Sequence, residues 1–117
     1  MRLRDRLHHI KREFLEVEFP PPYPVRLRFE RMPKAESYRG RPYHGIYYFR
    51  HPGAHYGLIR INRTLRRSEA VYTLLHEWAH VVTEPLPELD ALFADEHPDE
   101  FYLMLGRIER AYEAWDT

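Results

Sequence analysis

The sequence predicts an α+β fold in which a small antiparallel sheet of about three strands packs with three helices. Apolar residues recur at helical spacing near both ends of the chain, whereas alternating and β-branched residues fill the region between residues 25 and 61. Prolines separate the helical segments from the strand-like ones. The length of 117 residues suits one domain spanning residues 1–117.

The first predicted element is a helix over residues 2–17. Its apolar positions recur at spacings of four, three and four residues, at Leu3, Leu7, Ile10 and Phe14. This spacing places the four side chains on one face of a helix. Consecutive prolines at 20–22 end the helix, because proline has no amide hydrogen and its ring blocks a further turn.

Three strands are predicted next. Residues 25–30 alternate apolar and charged side chains, which is typical of a half-buried strand. Residues 32–42 contain prolines and a glycine among polar residues and are expected to form a loop. Residues 45–49 and 56–61 are rich in aromatic and β-branched side chains, and the Pro-Gly turn between them predicts a hairpin.

The second half of the chain is predicted to be helical. One helix runs from the candidate N-cap Ser68 to about residue 82 and has a wide apolar face. The acidic segment 83–97 contains two prolines, and one turn of helix is expected around residues 89–94. A last helix is expected from Pro98 to about residue 115, since proline fits the first turn of a helix.

Composition limits the chemistry and the cellular location. The absence of cysteine excludes disulfides, thiolate metal sites and cysteine catalysis, so a metal would have to bind His, Asp or Glu. No apolar run approaches the roughly 20 residues of a membrane span, and the basic N-terminus lacks the apolar core of a signal peptide. We therefore expect a cytoplasmic protein with no membrane partner.

Charge is distributed unevenly along the chain. Residues 1–67 hold sixteen Lys or Arg and six Asp or Glu, whereas residues 68–117 hold two and twelve. Two interpretations stay open: the halves fold against each other, or the basic half associates with DNA. The candidate DNA-binding side chains are Arg2, Arg4, Arg6, Lys11, Arg12, Arg26 and Arg28.

The main candidate site is the sequence His-Glu-Trp-Ala-His at residues 76–80, inside a predicted helix. Residues four apart on a helix lie one turn above each other, so His76 and His80 can bind one tetrahedral ion at about 2.0–2.1 Å. Glu77 is placed to take a proton from a metal-activated water, while the ion stabilises the oxyanion that forms. The pattern therefore predicts zinc-dependent hydrolysis of peptide bonds, with Glu77 as general base.

A catalytic zinc takes three protein ligands and keeps one position open. The candidates for the third ligand are His97 and Glu100, at the start of the last helix. Pro98 places His97 at a cap position, where its side chain is free to turn toward the fold. Glu100 lies in the first turn, where the helix dipole stabilises a carboxylate, so no metal is needed to explain a glutamate there. Both candidates stay open, and His97 is preferred.

Three segments, taken in order, resemble the SprT-like zinc metallopeptidases, which include the Spartan proteases: Leu-Ile-Arg-Ile-Asn at 58–62, Leu-Leu-His-Glu-Trp-Ala-His at 74–80 and His-Pro-Asp-Glu-Phe at 97–101. The resemblance implies a minimal zincin-like domain that binds Zn²⁺ through His76, His80 and His97, with Glu77 catalytic. Pro98 stands where the family usually has glycine. The cysteine-free chain also lacks the zinc ribbon of larger members, so their DNA-repair role does not carry over.

Other interpretations stay open. The gluzincin peptidases offer a competing resemblance, in which Glu100 would be the third ligand. A further alternative is a non-catalytic metal-binding or nucleic-acid-associated domain. Another is a zinc hydrolase that acts on something other than peptides. Glu77 argues against a purely structural zinc site, since such a site needs no general base. The tyrosines of the predicted hairpin are interpreted as packing residues and receive no role.

Overall fold

The computed structural model describes residues 1–32, 44–48, 56–83 and 99–117, together with the backbone of residues 37–38 and 41–42. The helices are α1 (Leu3–Ile10), a π-helical segment (Lys11–Leu15), α2 (Glu16–Glu18), α3 (Arg67–Thr83) and α4 (Asp99–Trp115). The strands are β1 (Val25–Glu30), β2 (Ser37–Tyr38), β3 (Arg41–Pro42), β4 (Gly45–Tyr48) and β5 (Gly57–Asn62). This architecture confirms the α+β class. The helical turn predicted at residues 89–94 lies outside the described residues.

The predicted N-terminal helix is confirmed as one helical run over residues 3–18, but its middle is a π-helix. Leu7, Ile10 and Phe14 are buried as their spacing predicts, and Leu15 beside Phe14 is buried too. Adjacent residues of an α-helix point about 100° apart, so two buried neighbours need a wide apolar face. The π segment places an extra residue in this turn, which widens the contact of the helix with the core.

The three longer strands form a mixed sheet in the order β1-β5-β4. β4 and β5 pair antiparallel, with Tyr47 opposite Ile59, which confirms the predicted hairpin. β1 pairs with β5 in parallel, with Leu27 opposite Ile59, so the prediction of a wholly antiparallel sheet is wrong. Parallel neighbours need a long connection, and residues 31–56 between the two strands provide it.

Two local predictions are also corrected. Residues 32–42, predicted to be a loop, contain a two-residue antiparallel ladder between β2 and β3. Helix α3 begins at Arg67, so Ser68 lies inside its first turn and is not the N-cap. Glu69 accepts a hydrogen bond from the backbone N–H of Arg66 at 3.2 Å, which is one half of a capping box. This carboxylate satisfies the backbone N–H of Arg66, the residue just before the helix.

The helices cover one face of the sheet. Alternate strand residues on this face are buried in a core shared with α1, α3 and α4: Val25, Leu27, Ile59 and Ile61. Trp78 of α3 is fully buried, and its indole N–H donates to the Phe19 carbonyl at 2.9 Å. This bond ties α3 to the end of the N-terminal helical run. The core therefore holds α3, which carries the candidate site, firmly against the sheet.

Across the part of the chain that the structure describes, no helix combines the length and the apolar composition needed to cross a membrane.

Strand β4 lies directly against α3 at Gly45. A Cβ added to Gly45 would lie 2.6 Å from Thr73 Cγ2 and 3.2 Å from the Arg60 carbonyl oxygen. The Thr73 hydroxyl donates to the Glu69 carbonyl at 2.6 Å, which fixes its rotamer and leaves the methyl group little room to move. The absence of a side chain at Gly45 therefore permits the close approach of strand and helix beside Glu77.

We expect Gly45→Ala to destabilise the protein by about 1–3 kcal/mol, because the added methyl group forces β4 away from α3. The matched control is Gly106→Ala in α4, where an added Cβ meets only the flexible Arg110 guanidinium, at 3.3 Å. Alanine there should stabilise the helix by about 0.5–1 kcal/mol. Urea denaturation of both variants measures the difference. Equal effects would contradict the tight contact at Gly45.

Candidate metal centre

Helix α3 presents His76 and His80 from the edge of the core. Five of its neighbouring side chains anchor the helix by burial: Leu74, Leu75, Trp78, Ala79 and Val81. His76 and His80 lie one turn apart and are half-buried. Their ring centroids are 5.2 Å apart, with an angle of 71° between the ring planes. The helix therefore brings the two imidazoles together on one side, as the sequence predicts.

The separation of the two imidazoles fits a shared metal ion. Two ring nitrogens at about 2.0–2.1 Å from a tetrahedral zinc place their ring centroids about 5 Å apart. The observed separation is 5.2 Å. Two imidazoles without a thiolate also form a donor set that suits zinc. His76 and His80 are thus able to supply two of the ligands of a zinc ion.

Aromatic rings hold both histidines in place. Phe101 of α4 is fully buried, with its ring 4.9 Å from the ring of His76 and 4.3 Å from that of His80. The ring of Tyr47 in β4 is nearly parallel to that of His80, with centroids 6.5 Å apart. Contacts from two other elements limit the rotamers of the imidazoles. A metal that binds them would therefore meet ligands that are already oriented.

Glu77 lies between the two histidines in sequence and is buried, with 7% of its surface exposed. The position of a Cβ on Gly45 would be 3.5 Å from Glu77 Cγ, so β4 runs alongside this side chain. Carboxylates are seldom buried unless polar groups or a metal compensate for the lost hydration. A buried carboxylate beside two imidazoles is therefore a candidate functional group.

The third ligand is not fixed by the described residues. His97 and the segment 84–98 lie outside them. Glu100 is described and lies exposed in the first turn of α4, next to the buried Phe101. Within the described ranges, no group of three His, Asp or Glu side chains is arranged to hold a metal ion. His76 and His80 are thus the ligand pair that these residues provide, and the choice between His97 and Glu100 stays a prediction.

A cavity of about 470 Å³ opens beside His76 and Glu77. Helix α3 supplies Glu69, Thr73, His76 and Glu77 to its wall, and α4 supplies Leu105 and Glu109. His44 and Gly45, at the start of β4, line the third side. A ligand in this cavity would therefore contact His76 and Glu77.

Sequence reasoning missed two aromatic neighbours of the site. Phe101 is fully buried, but nothing in its helical spacing indicates contact with both histidines. Tyr47 was given no role, yet it stacks on His80. His44, just before β4, lines the cavity, and two further histidines between β4 and β5, His51 and His55, lie outside the described residues. Pairing between strands and helices, which creates these contacts, leaves no local signal in the sequence.

The basic side chains that were candidates for DNA binding have different surroundings. Arg6 pairs with Asp116 and donates to the Tyr112 hydroxyl, which joins the basic half to the acidic half. Lys11 and Arg12 pair with glutamates of their own half. The Arg26 guanidinium lies over the Tyr56 ring, 4.2 Å from its centroid. The contacts of Arg6 thus join the two halves of the chain, whereas association of the basic half with DNA stays a prediction.

Comparison with known proteins gives no relative. No family model, no curated protein and no solved structure matches this chain. Residue chemistry and geometry therefore carry the functional proposal.

Proposed function

We propose that this protein is a zinc metallopeptidase that hydrolyses peptide bonds. One observation carries the proposal: two imidazoles at the spacing of zinc ligands flank a buried carboxylate, and this carboxylate lines an open cavity. A structural zinc site is closed and needs no acid or base beside a cavity. The same arrangement supports the resemblance to the SprT-like peptidases, for which His97 would complete the ligand set.

Each residue has a defined task in this proposal. His76 and His80, with His97, would bind the ion through ring nitrogens. Zinc, when bound, supplies a Lewis acid that lowers the pKa of water and polarises a carbonyl group. Glu77 accepts the proton of the attacking water on its carboxylate and passes it to the departing amine. Phe101 and Tyr47 keep the imidazoles oriented.

Metal content and chelation test the proposal together. The purified protein should contain about one zinc ion per chain, measured by mass spectrometry of the metals. It should cleave unfolded casein, lose this activity to a chelator and regain it when zinc is returned. The control is a double variant, His76→Ala with His80→Ala, which should bind no zinc. Stoichiometric zinc without cleavage would favour the non-catalytic alternative, and a protein that binds no zinc would refute the proposal.

Association with DNA is a second candidate function. Its support is that Arg2, Arg4, Arg26 and Arg28 are exposed. Binding that depends on such side chains weakens steeply as salt displaces them from phosphates. Fluorescence anisotropy with labelled DNA at low and at physiological ionic strength tests this function, and the absence of binding at low salt would remove it.

A further inference from the structure

The cavity beside Glu77 has an uneven charge. Glu69 from α3 and Glu109 from α4 line it together with Glu77. Among its described lining residues there is no lysine or arginine. The ion pairs formed within the described part of the chain do not include Glu69 or Glu109. These pairs thus do not neutralise the charges of Glu69 and Glu109.

The positions of these glutamates relative to the candidate catalytic group follow from helix geometry. Glu69 precedes Glu77 by eight residues, which is about 12 Å along the axis of α3. An extended peptide advances about 3.4 Å per residue, so this distance corresponds to three or four residues of a bound chain. Leu105 and Glu109 are one turn apart on α4, and both line the cavity. The cavity therefore extends from Glu77 into a part walled by two carboxylates.

The pKa of Tyr72 also reflects nearby negative charge. Partial burial and the carboxylates of Glu113 and Glu109 raise the pKa of Tyr72, which lines the cavity next to Thr73. Glu69 directs one carboxylate oxygen to the Arg66 backbone N–H, and this contact leaves its charge in place. Two walls of the cavity thus present negative charge to any group that enters it.

We propose that this cavity binds a lysine or arginine side chain of the substrate, with Glu109 as the main determinant and Glu69 as the second. The inference rests on the proposed peptidase function and names the substrate class of that site. A basic residue within about four positions of the scissile bond would place its cation between the two carboxylates. Ion pairing with these glutamates makes substrates with such a residue preferred over neutral ones.

Matched peptides test the inference. Cleavage sites in unfolded casein are first mapped by mass spectrometry, and peptides are then made with Lys, Gln or Glu at each position near one scissile bond. The wild type should cleave the best Lys peptide about three to ten times faster than its Gln counterpart. Glu109→Gln should remove most of this difference by lowering the rate on the Lys peptide toward that on its Gln counterpart. Glu109→Lys should favour the Glu peptide.

A binding measurement separates recognition from catalysis. In a Glu77→Gln background, a fluorescent Lys peptide should bind more tightly than the Gln peptide, and the added Glu109→Gln change should remove the advantage. The control is Glu113→Gln, since Glu113 lies one turn further along α4, contacts Tyr72 and is not part of the described cavity lining. Equal cleavage and binding of Lys and Gln peptides, or an equal effect of Glu113→Gln, would overturn the inference. Absence of all cleavage would instead refute the peptidase itself.

Discussion

Replacement of Glu77 by glutamine should lower the rate of peptide hydrolysis by about 10²–10⁴-fold, the contribution typical of a general base. Glutamine has nearly the same shape but cannot accept a proton from the attacking water. The fold and the zinc content should both remain, because the ligand nitrogens belong to His76 and His80. Initial rates on a quenched fluorescent peptide, zinc content and thermal unfolding of the same preparation measure the three quantities.

The matched control is Glu18→Gln, the same change at an exposed position of α2 away from the site. It should leave activity, zinc content and stability as in the wild type. Loss of zinc from Glu77→Gln, in parallel with the loss of activity, would show that Glu77 is a ligand or a structural group. Undiminished cleavage by this variant would rule out the proposed mechanism.

The sequence was sufficient to predict the core of the candidate site, because one helix determines its geometry. The apolar face over residues 68–82 specifies the helix, and a spacing of four residues then places His76 and His80 on one side. Neither step depends on the rest of the fold. The structure describes the helix as Arg67–Thr83 and brings the two rings to 5.2 Å.

What the sequence did not predict depends on tertiary contacts. Alternation identified β1 as a strand, but the direction of its pairing depends on where the chain crosses the sheet, which a local pattern does not encode. The contact of Phe101 with both histidines requires α4 to dock on α3, which the helical spacing of α4 does not encode. The burial of Glu77 likewise depends on the approach of β4, which Gly45 permits.

The position of α4 now sharpens the question of the third ligand. Phe101 lies 4.3–4.9 Å from the two imidazoles, measured between ring centroids, so the start of α4 is close to the candidate metal position. His97 precedes Phe101 by four residues in the sequence. Glu100 is rotated about 100° from Phe101 on the helix, and it is exposed. The helix dipole at the start of α4 also stabilises its carboxylate, which explains a glutamate at this position without a metal.

We therefore expect His97→Ala to weaken zinc binding by more than about 100-fold, since even the outer partners of metal ligands contribute about 10–100-fold. Glu100→Ala should change the affinity little, and it serves as the matched control in the same segment. Competition with a chromophoric chelator measures both affinities, and circular dichroism checks that α4 remains folded. The opposite ranking would identify Glu100 as the ligand and favour the gluzincin arrangement. The tasks of His76, Glu77 and His80 would be the same in either case, because α3 supplies all three residues.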